Sequence, residues 1–399
     1  MTAPRVGRPG STAELLADAA VREAALALRP HSAPEETVAR AAWSVLTEPG
    51  DGVAGVLVQE LGAAGALDLV LSEVPRETAA PSVGRRSLAE GLNRWRLRGD
   101  FTTISASLTD ALDVSARMLL PGDPEWPEGL ADLGPHGPHV LWVRGDPSVL
   151  GRTATVSIVG ARASTGYGEQ IAAELSGDLA GSGTVVVSGG AYGIDGAAHR
   201  AALGVGGATV AFLAGGVDRW YPSGHHRLFE RICASGAVVS EVPCGAAPTR
   251  WRFLERNRLI AATGRATVVV EAGWRSGTLN TAGHAATLGR PLGAVPGPVS
   301  SASSAGCHRL LREYDAVCVT RAAEVRELWG EGAAEPLAEE RHDPDRIRLL
   351  DALSTRAPRE STELARRSGL PAERVRGLLG MLDLEGVVTR RDPGWIRLR

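Results

Sequence analysis

Three times in the middle of the chain a short apolar run ends in a glycine-rich turn, and the turn opens into a helical pattern. The first is Val159-Gly160-Ala161-Arg162-Ala163-Ser164-Thr165-Gly166, following Thr155 to Val159. The second is Ser188-Gly189-Gly190-Ala191-Tyr192-Gly193-Ile194-Asp195, following Thr184 to Val187. The third, Glu271-Ala272-Gly273-Trp274-Arg275-Ser276-Gly277-Thr278, follows Ala266 to Val270. Strand, turn and helix in repetition build a parallel sheet covered by helices on both faces, whose strands read as continuous apolar runs. Further runs at Ala208 to Leu213, Ala237 to Ser240 and Pro291 to Val295 extend the pattern. Residues from about 155 to 320 are therefore predicted to form a doubly wound α/β domain.

Such turns suit phosphates. The unpaired amides at a helix start, together with the helix dipole, favour an anion, and glycine lets the backbone come close to it. In open α/β sheets ligands bind outside the carboxyl ends of the strands, where strand order reverses. The first turn lacks the GxGxxG spacing, so no dinucleotide is expected. At the third turn the Ser276 and Thr278 hydroxyls and the local amides, Gly277 among them, would face a phosphate, with Arg275 supplying charge. Asp195 reads as a helix cap and His199 as a packed histidine. All 43 basic residues are Arg, which excludes a Schiff-base lysine and the P-loop lysine; a GC-rich coding bias is the simplest source of that composition.

Between the second and third turns lies Arg250-Trp251-Arg252-Phe253-Leu254-Glu255-Arg256-Asn257-Arg258. Guanidinium groups pair with phosphates and aromatic faces stack on unpaired bases, so the interleaving suits single strands better than duplex. A solvated helix face is the plainer reading of the same charges. No metal site is expected, because His225-His226 and Cys307-His308 are adjacent pairs whose side chains diverge on a helix. Cys233, Cys244, Cys307 and Cys318 are too widely spaced for a zinc ribbon and read as reduced thiols.

A chain of 399 residues suggests two or three domains. Residues 1–118 carry helical spacing, as in Ala20-Val21-Ala24-Ala25-Leu28, and read as an all-helical domain. Prolines 121, 124 and 127 reset the character, giving an α/β domain over 121–329. An acidic linker over 330–342 leads to a module over 343–399 with three helices and a hairpin closed by Asp392-Pro393-Gly394, the layout of a winged helix. The formal charge of −3 announces no polyanion partner, so any basic surface must be local. Neither a signal-like apolar region after the first arginines nor a membrane-length apolar run is apparent, and the expected location is the cytoplasm.

Taken in order, Val159-Gly160-Ala161-Arg162, Ser188 to Asp195, Phe253 with Arg256-Asn257-Arg258, Arg275 to Thr278, Val295-Pro296-Gly297 and Gly306-Cys307-His308 closely resemble the DprA/Smf family of bacterial DNA-processing proteins. The resemblance spans residues 121 to 320 and implies an extended Rossmann-like core that binds single-stranded DNA. It further implies a homodimer that loads the RecA recombinase on incoming DNA during natural transformation, with no catalytic residue and no cofactor. Carried over by residue, the DNA site would hold Arg162 at the first turn, Ser188 and Gly189 at the second, and Phe253, Arg256 and Asn257 on the interleaved segment, to which the turn and the interleaved run add Gly190, Arg252 and Arg258. Arg275, Ser276, Gly277 and Thr278 would line the same groove. Tyr192 departs from the family, many members having Arg there, which exchanges a phosphate contact for a stacking surface. The helical region is similar to the family's SAM-like module in length and character. The C-terminal module resembles its winged helix, where Arg374, Arg376, Arg390 and Arg391 would face a phosphate backbone, protein interaction being the other use of such a module.

The rival reading is an enzyme on a nucleotide, since phosphoribohydrolases of the lysine-decarboxylase-like family use a Gly-Gly turn and a glutamate on a related core. Glu241 or Glu271 would then be the general acid or base. Their Pro-Gly-Gly-x-Gly-Thr run is absent.

Overall fold

The computed structural model describes residues 9–72, 82–331 and 343–398. They fall into two compact units, one ending at Glu331 and the other beginning at Gly332. Most of the expected linker over 330–342 lies outside the described residues.

The first unit is organised by a sheet with nine strands among the described residues: β1 (Arg117–Leu119), β2 (Leu141–Gly145), β3 (Thr155–Val159), β4 (Val185–Ser188), β5 (Thr209–Phe212), β6 (Ala237–Ser240), β7 (Thr267–Val269), β8 (Leu292–Ala294) and β9 (Val317–Cys318). Their order is β1-β2-β6-β5-β4-β3-β7-β8-β9. From β6 to β9 all neighbours are parallel, while β1 and β2 add an antiparallel edge. The chain leaves β3 in one direction through β4, β5 and β6 and returns on its other side through β7, β8 and β9. The order thus reverses between β3 and β7, the switch point of a doubly wound sheet. The six expected strands are present within a residue or two at each end. β1, β2 and β9 are additional: β2 pairs antiparallel at the edge, outside the strand-helix rhythm, and β9 has two residues.

Burial explains the apolar runs. Along β3 and β4, Ile158 and Val186 pack into one layer with Leu175 and Ala198, while Val159, Val185 and Val187 face another containing Leu259 and Ala282. Successive strand side chains point to opposite faces, so a strand buried on both sides has no polar alternation.

Six helices precede the sheet among the described residues: α1 (Thr12–Leu16), α2 (Ala19–Leu28), α3 (Pro34–Leu46), α4 (Gly52–Leu71), α5 (Arg85–Arg96) and α6 (Phe101–Asp113). Their core continues through Met118 and Trp142 to Ala211, Phe229 and Val238. The boundary expected near residue 120 is thus a change of secondary structure inside one compact unit. By length and composition α4 is apolar enough to cross a membrane, but its Leu57, Ala66, Leu67 and Val70 are fully buried in this core and Gly62 breaks its helical backbone at φ 73°.

The crossovers are α7 (Gly166–Gly181), α8 (Ile194–Gly204), α9 (His226–Ser235), α10 (Arg250–Thr263), α11 (Thr278–Thr287), α12 (Ala305–Glu313) and α13 (Ala322–Glu327). Two hydroxyls of β3 fix the path of α10: Ser157 Oγ donates to the Ile260 carbonyl at 2.7 Å and Thr155 Oγ1 to that of Thr263 at 2.8 Å. The helix therefore runs against the strand and presents its first two turns at the strand carboxyl ends.

The second unit contains α14 (Pro344–Ala352), α15 (Ser361–Ser368), α16 (Ala372–Leu384) and the antiparallel pair β10 (Val388–Arg391) and β11 (Gly394–Arg397). Leu349, Leu364, Val375, Leu379 and Val388 fill its core. This is the expected winged-helix layout.

Candidate nucleic-acid interface

The three glycine-rich turns converge. A cavity of about 400 Å³ at the strand carboxyl ends is lined by Gly160 to Ala163 of the first turn, Ala191 and Asp195 of the second, and Ser276, Gly277 and Thr278 of the third. Phe253, Arg256 and Asn257 of α10 close its remaining side. It opens at the switch point between β3 and β7, where ligands of such sheets bind. Helices α7, α8 and α11 all begin here, so their positive dipole ends gather at this edge.

The turns hold one another in place. The Ala161 amide donates to the Glu271 carbonyl at 2.8 Å, and the Glu271 carboxylate accepts from the Thr165 amide at 2.9 Å and hydroxyl at 2.6 Å. Thr165 in turn caps α7, its hydroxyl accepting from the Gly168 amide. At Gly193 the backbone is left-handed, with φ 72°, and a Cβ there would stand 2.3 Å from the Ala161 carbonyl oxygen. Glycine at that point lets the first and second turns touch.

Arg256 is the buried cation of the cavity. Its side chain is buried, and Nη1 donates to the carbonyls of Gly189, at 2.7 Å, and Phe212. A Cβ on Gly189 would lie 2.2 Å from that nitrogen, so the glycine makes room for the guanidinium. Nε is buried with no hydrogen-bond partner among the described residues. Burial pulls the Arg256 pKa down to about 10, with the Asp195 carboxyl opposing, so the group stays charged at neutral pH. Burial likewise pushes the Asp195 carboxyl above its ordinary range, and its Oδ2 accepts weakly from the Ala191 amide at 3.3 Å. Asp195 is not the expected cap: Gly193 holds the N-cap position without a side-chain bond, and Asp195 sits in the first turn of α8, reaching back to the glycine-rich turn and lining the cavity. At the mouth, the exposed Arg162 guanidinium lies 4.6 Å from the centre of the Phe253 ring.

The sequence-derived residues separate into groups. Arg162, Phe253, Arg256, Asn257, Ser276, Gly277 and Thr278 meet at the cavity. Asn257 Nδ2 donates to Asn280 Oδ1 at 3.0 Å, and Ser276 and Thr278 share a hydroxyl bond at 3.0 Å. Gly189 and Gly190 lie just beneath, Gly190 offering its carbonyl to His225 at 3.0 Å. Ser188 does not line the cavity: its buried hydroxyl donates to the Ile158 carbonyl at 2.6 Å and also meets the Asp195 carboxyl. Tyr192 stands half exposed beside His225, and Arg275 is exposed on the third turn.

Two arginines of the interleaved run do not join the cavity. Arg252 pairs with Glu48 of the helical region at 2.9 and 3.0 Å. Arg258 is buried in a two-pronged pair with Glu241, at 2.6 and 2.9 Å. A helix turns about 100° per residue, so one run cannot present four arginines to a single groove. These pairs instead anchor α10 at two points and set the direction of Arg256. Both candidate acid-base glutamates are thereby engaged, Glu241 by Arg258 and Glu271 by Thr165, and neither lines the cavity.

Outside the cavity, His199 is fully buried, with Nδ1 2.7 Å from Thr209 Oγ1, and burial pulls its pKa down to about 3. It is the packed histidine expected. Cys307 is buried and His308 Nε2 lies 3.0 Å from the Gly297 carbonyl, so that pair is spent on packing. In the winged helix, Arg374 pairs with Asp343 and Asp345 at 2.7 and 2.9 Å, whereas Arg376, Arg390 and Arg391 are exposed.

Comparison with known proteins agrees with this geometry. Residues 117–330 match the family model of DNA recombination-mediator protein A, and residues 333–394 match that of the DprA winged helix domain. A DNA processing protein DprA of Mycobacterium tuberculosis is 41% identical over 388 residues, covering 90% of this chain and 94% of the relative. Protein Smf of Escherichia coli is 34% identical over 300 residues, covering 72% and 79%. The crystal structure of DprA from Streptococcus pneumoniae superposes with a TM-score of 0.58 at 29% identity, covering 73% of this chain and 96% of that one. The chain belongs to the DprA/Smf family of DNA-processing proteins.

Proposed function

We propose that this chain binds single-stranded DNA in the crevice at the switch point, protects the strand and passes it to the RecA recombinase during transformation or recombination. Family membership supports the DNA partner and the hand-over. The observation that carries the reading is Arg256: a buried guanidinium, still charged at neutral pH and with no carboxylate at ion-pairing distance among the described residues, lines a cavity ringed by three helix starts. A buried cation left partly unpaired is unfavourable, and an entering phosphate would relieve it. Arg162 supplies a second charge and Phe253 a ring for an unpaired base.

No bond-making step is needed. Glu241 and Glu271, the two glutamates that an enzyme of the phosphoribohydrolase kind would use as general acid or base, are both engaged elsewhere. The working form is a homodimer, which places two crevices on one strand and raises avidity. Its place is the cytoplasm, in keeping with four free cysteines.

A low-salt gel-shift titration tests the reading. Tighter binding of single-stranded than of double-stranded DNA is expected, with no free base released from nucleoside monophosphates. Equal affinity for the two forms of DNA, or base release, contradicts it.

A further inference from the structure

We propose that Tyr221 and Tyr192 form a base-stacking rim beside the crevice, so that unpaired bases lie on these rings while Arg162 and Arg256 hold the phosphates. The inference rests on the proposed single-strand function and identifies which part of the DNA this flank of the site reads.

The two rings come from different turns and meet at one of them. Tyr221 begins the segment Tyr221-Pro222-Ser223-Gly224, and a Cβ added to Gly224 would lie 2.5 Å from the Tyr192 hydroxyl. Tyr192 therefore rests over the turn that carries Tyr221. The turn is well anchored. Trp220 packs 5.8 Å from Phe229 and 4.7 Å from His226, with the Arg144 guanidinium 4.5 Å from its ring. His225 holds the Gly190 carbonyl and meets Tyr192 edge-on at 4.8 Å.

The rim is continuous with the crevice. The Tyr221 ring lies 5.7 Å from that of Phe253 at 64°, and Phe253 carries Arg162 on its face. Yet Tyr221 remains 51% exposed and Tyr192 48%. Neither hydroxyl has a hydrogen-bond partner among the described residues, whereas Tyr167 donates to the Pro296 carbonyl at 2.7 Å. Two rings each braced on one side by another ring and open on the other, next to a cationic crevice, are the parts of a single-strand platform. Bases paired in a duplex cannot reach such rings, so the rim would discriminate strands where phosphate contacts alone do not. Trp251, also exposed, sits two residues from Phe253 on α10 and is turned about 200° from it, which keeps it out of the rim.

The test is a cycle between ring and base. Tyr221→Leu keeps apolar cover on Phe253 but removes the π face. The parent and this variant are titrated with oligo-dT and with an abasic-spacer oligomer of the same length, each over a range of salt. A stacking ring predicts about tenfold weaker binding of oligo-dT by the variant, an unchanged salt slope, no loss on the abasic strand, and recovery in Tyr221→Trp. Equal losses on both strands would assign Tyr221 a purely structural role, and no loss on oligo-dT would remove the rim altogether; either result overturns the proposal. Tyr192→Leu, read the same way, serves if Tyr221→Leu does not fold. A parent that binds neither oligomer defeats the proposed function itself, and is told apart by that control.

Discussion

The parallel sheet carries a cavity at each end. The one at the strand carboxyl ends is about 400 Å³ and holds Arg162 and Arg256; the one at the amino ends is about 510 Å³ and holds Arg152, Arg265 and Arg290. By volume and by number of cations the second is the better anion site. Two of its three arginines, however, have carboxylate partners: Arg290 pairs with Asp132 at 2.6 Å and Arg265 with Glu331 at 2.9 Å, and Glu128 lines the same space. At the carboxyl end neither Arg162 nor Arg256 has a carboxylate within ion-pairing distance among the described residues. The chain direction adds to the contrast, because parallel strands deliver helix starts to the carboxyl end and helix ends to the other. Unpaired buried charge and dipole direction, more than size, mark out the carboxyl end, the one proposed to bind DNA.

Three changes sharpen that contrast. The largest effect is expected where a paired arginine is fully buried. Arg258→Ala leaves Glu241 charged and unpaired in the interior and should cost about 3–5 kcal/mol, measured by chemical denaturation. Arg162→Ala should do the reverse. Its stability should stay within about 0.5 kcal/mol of the parent, while the slope of log affinity for single-stranded DNA against log salt becomes shallower by about 0.7 for each phosphate no longer neutralised. The smallest effect belongs to Arg265→Ala, whose partly exposed pair is worth less than about 1 kcal/mol and whose removal should leave DNA affinity unchanged.

Much of this was legible in the sequence because the signals are local. An apolar run followed by glycine and a helix start needs no tertiary information, and the three turns were placed to within a residue or two. The winged helix was equally readable from its spacing and its Asp392-Pro393-Gly394 turn. Long-range partners were not readable. Arg252, Arg256 and Arg258 look alike on paper, and only the fold brings Glu48 to the first, the Gly189 carbonyl to the second and Glu241 to the third. The orientation of Ser188 is of the same kind, since a hydroxyl at a strand end can face the crevice or the neighbouring strand, and here it bonds Ile158. Tyr221 went unnoticed because it belongs to none of the three turns; an aromatic pair before Pro222 in an otherwise glycine-rich loop was the available sign.

The contrast between the two ends reduces to one pair of variants. In a low-salt titration of single-stranded DNA, Arg256→Ala should weaken binding by about thirtyfold or more, as expected when a buried charge partner is removed, while Arg290→Ala should bind as the parent does. If Arg256→Ala binds like the parent, or if Arg290→Ala loses as much, the strand does not lie in the crevice at the switch point.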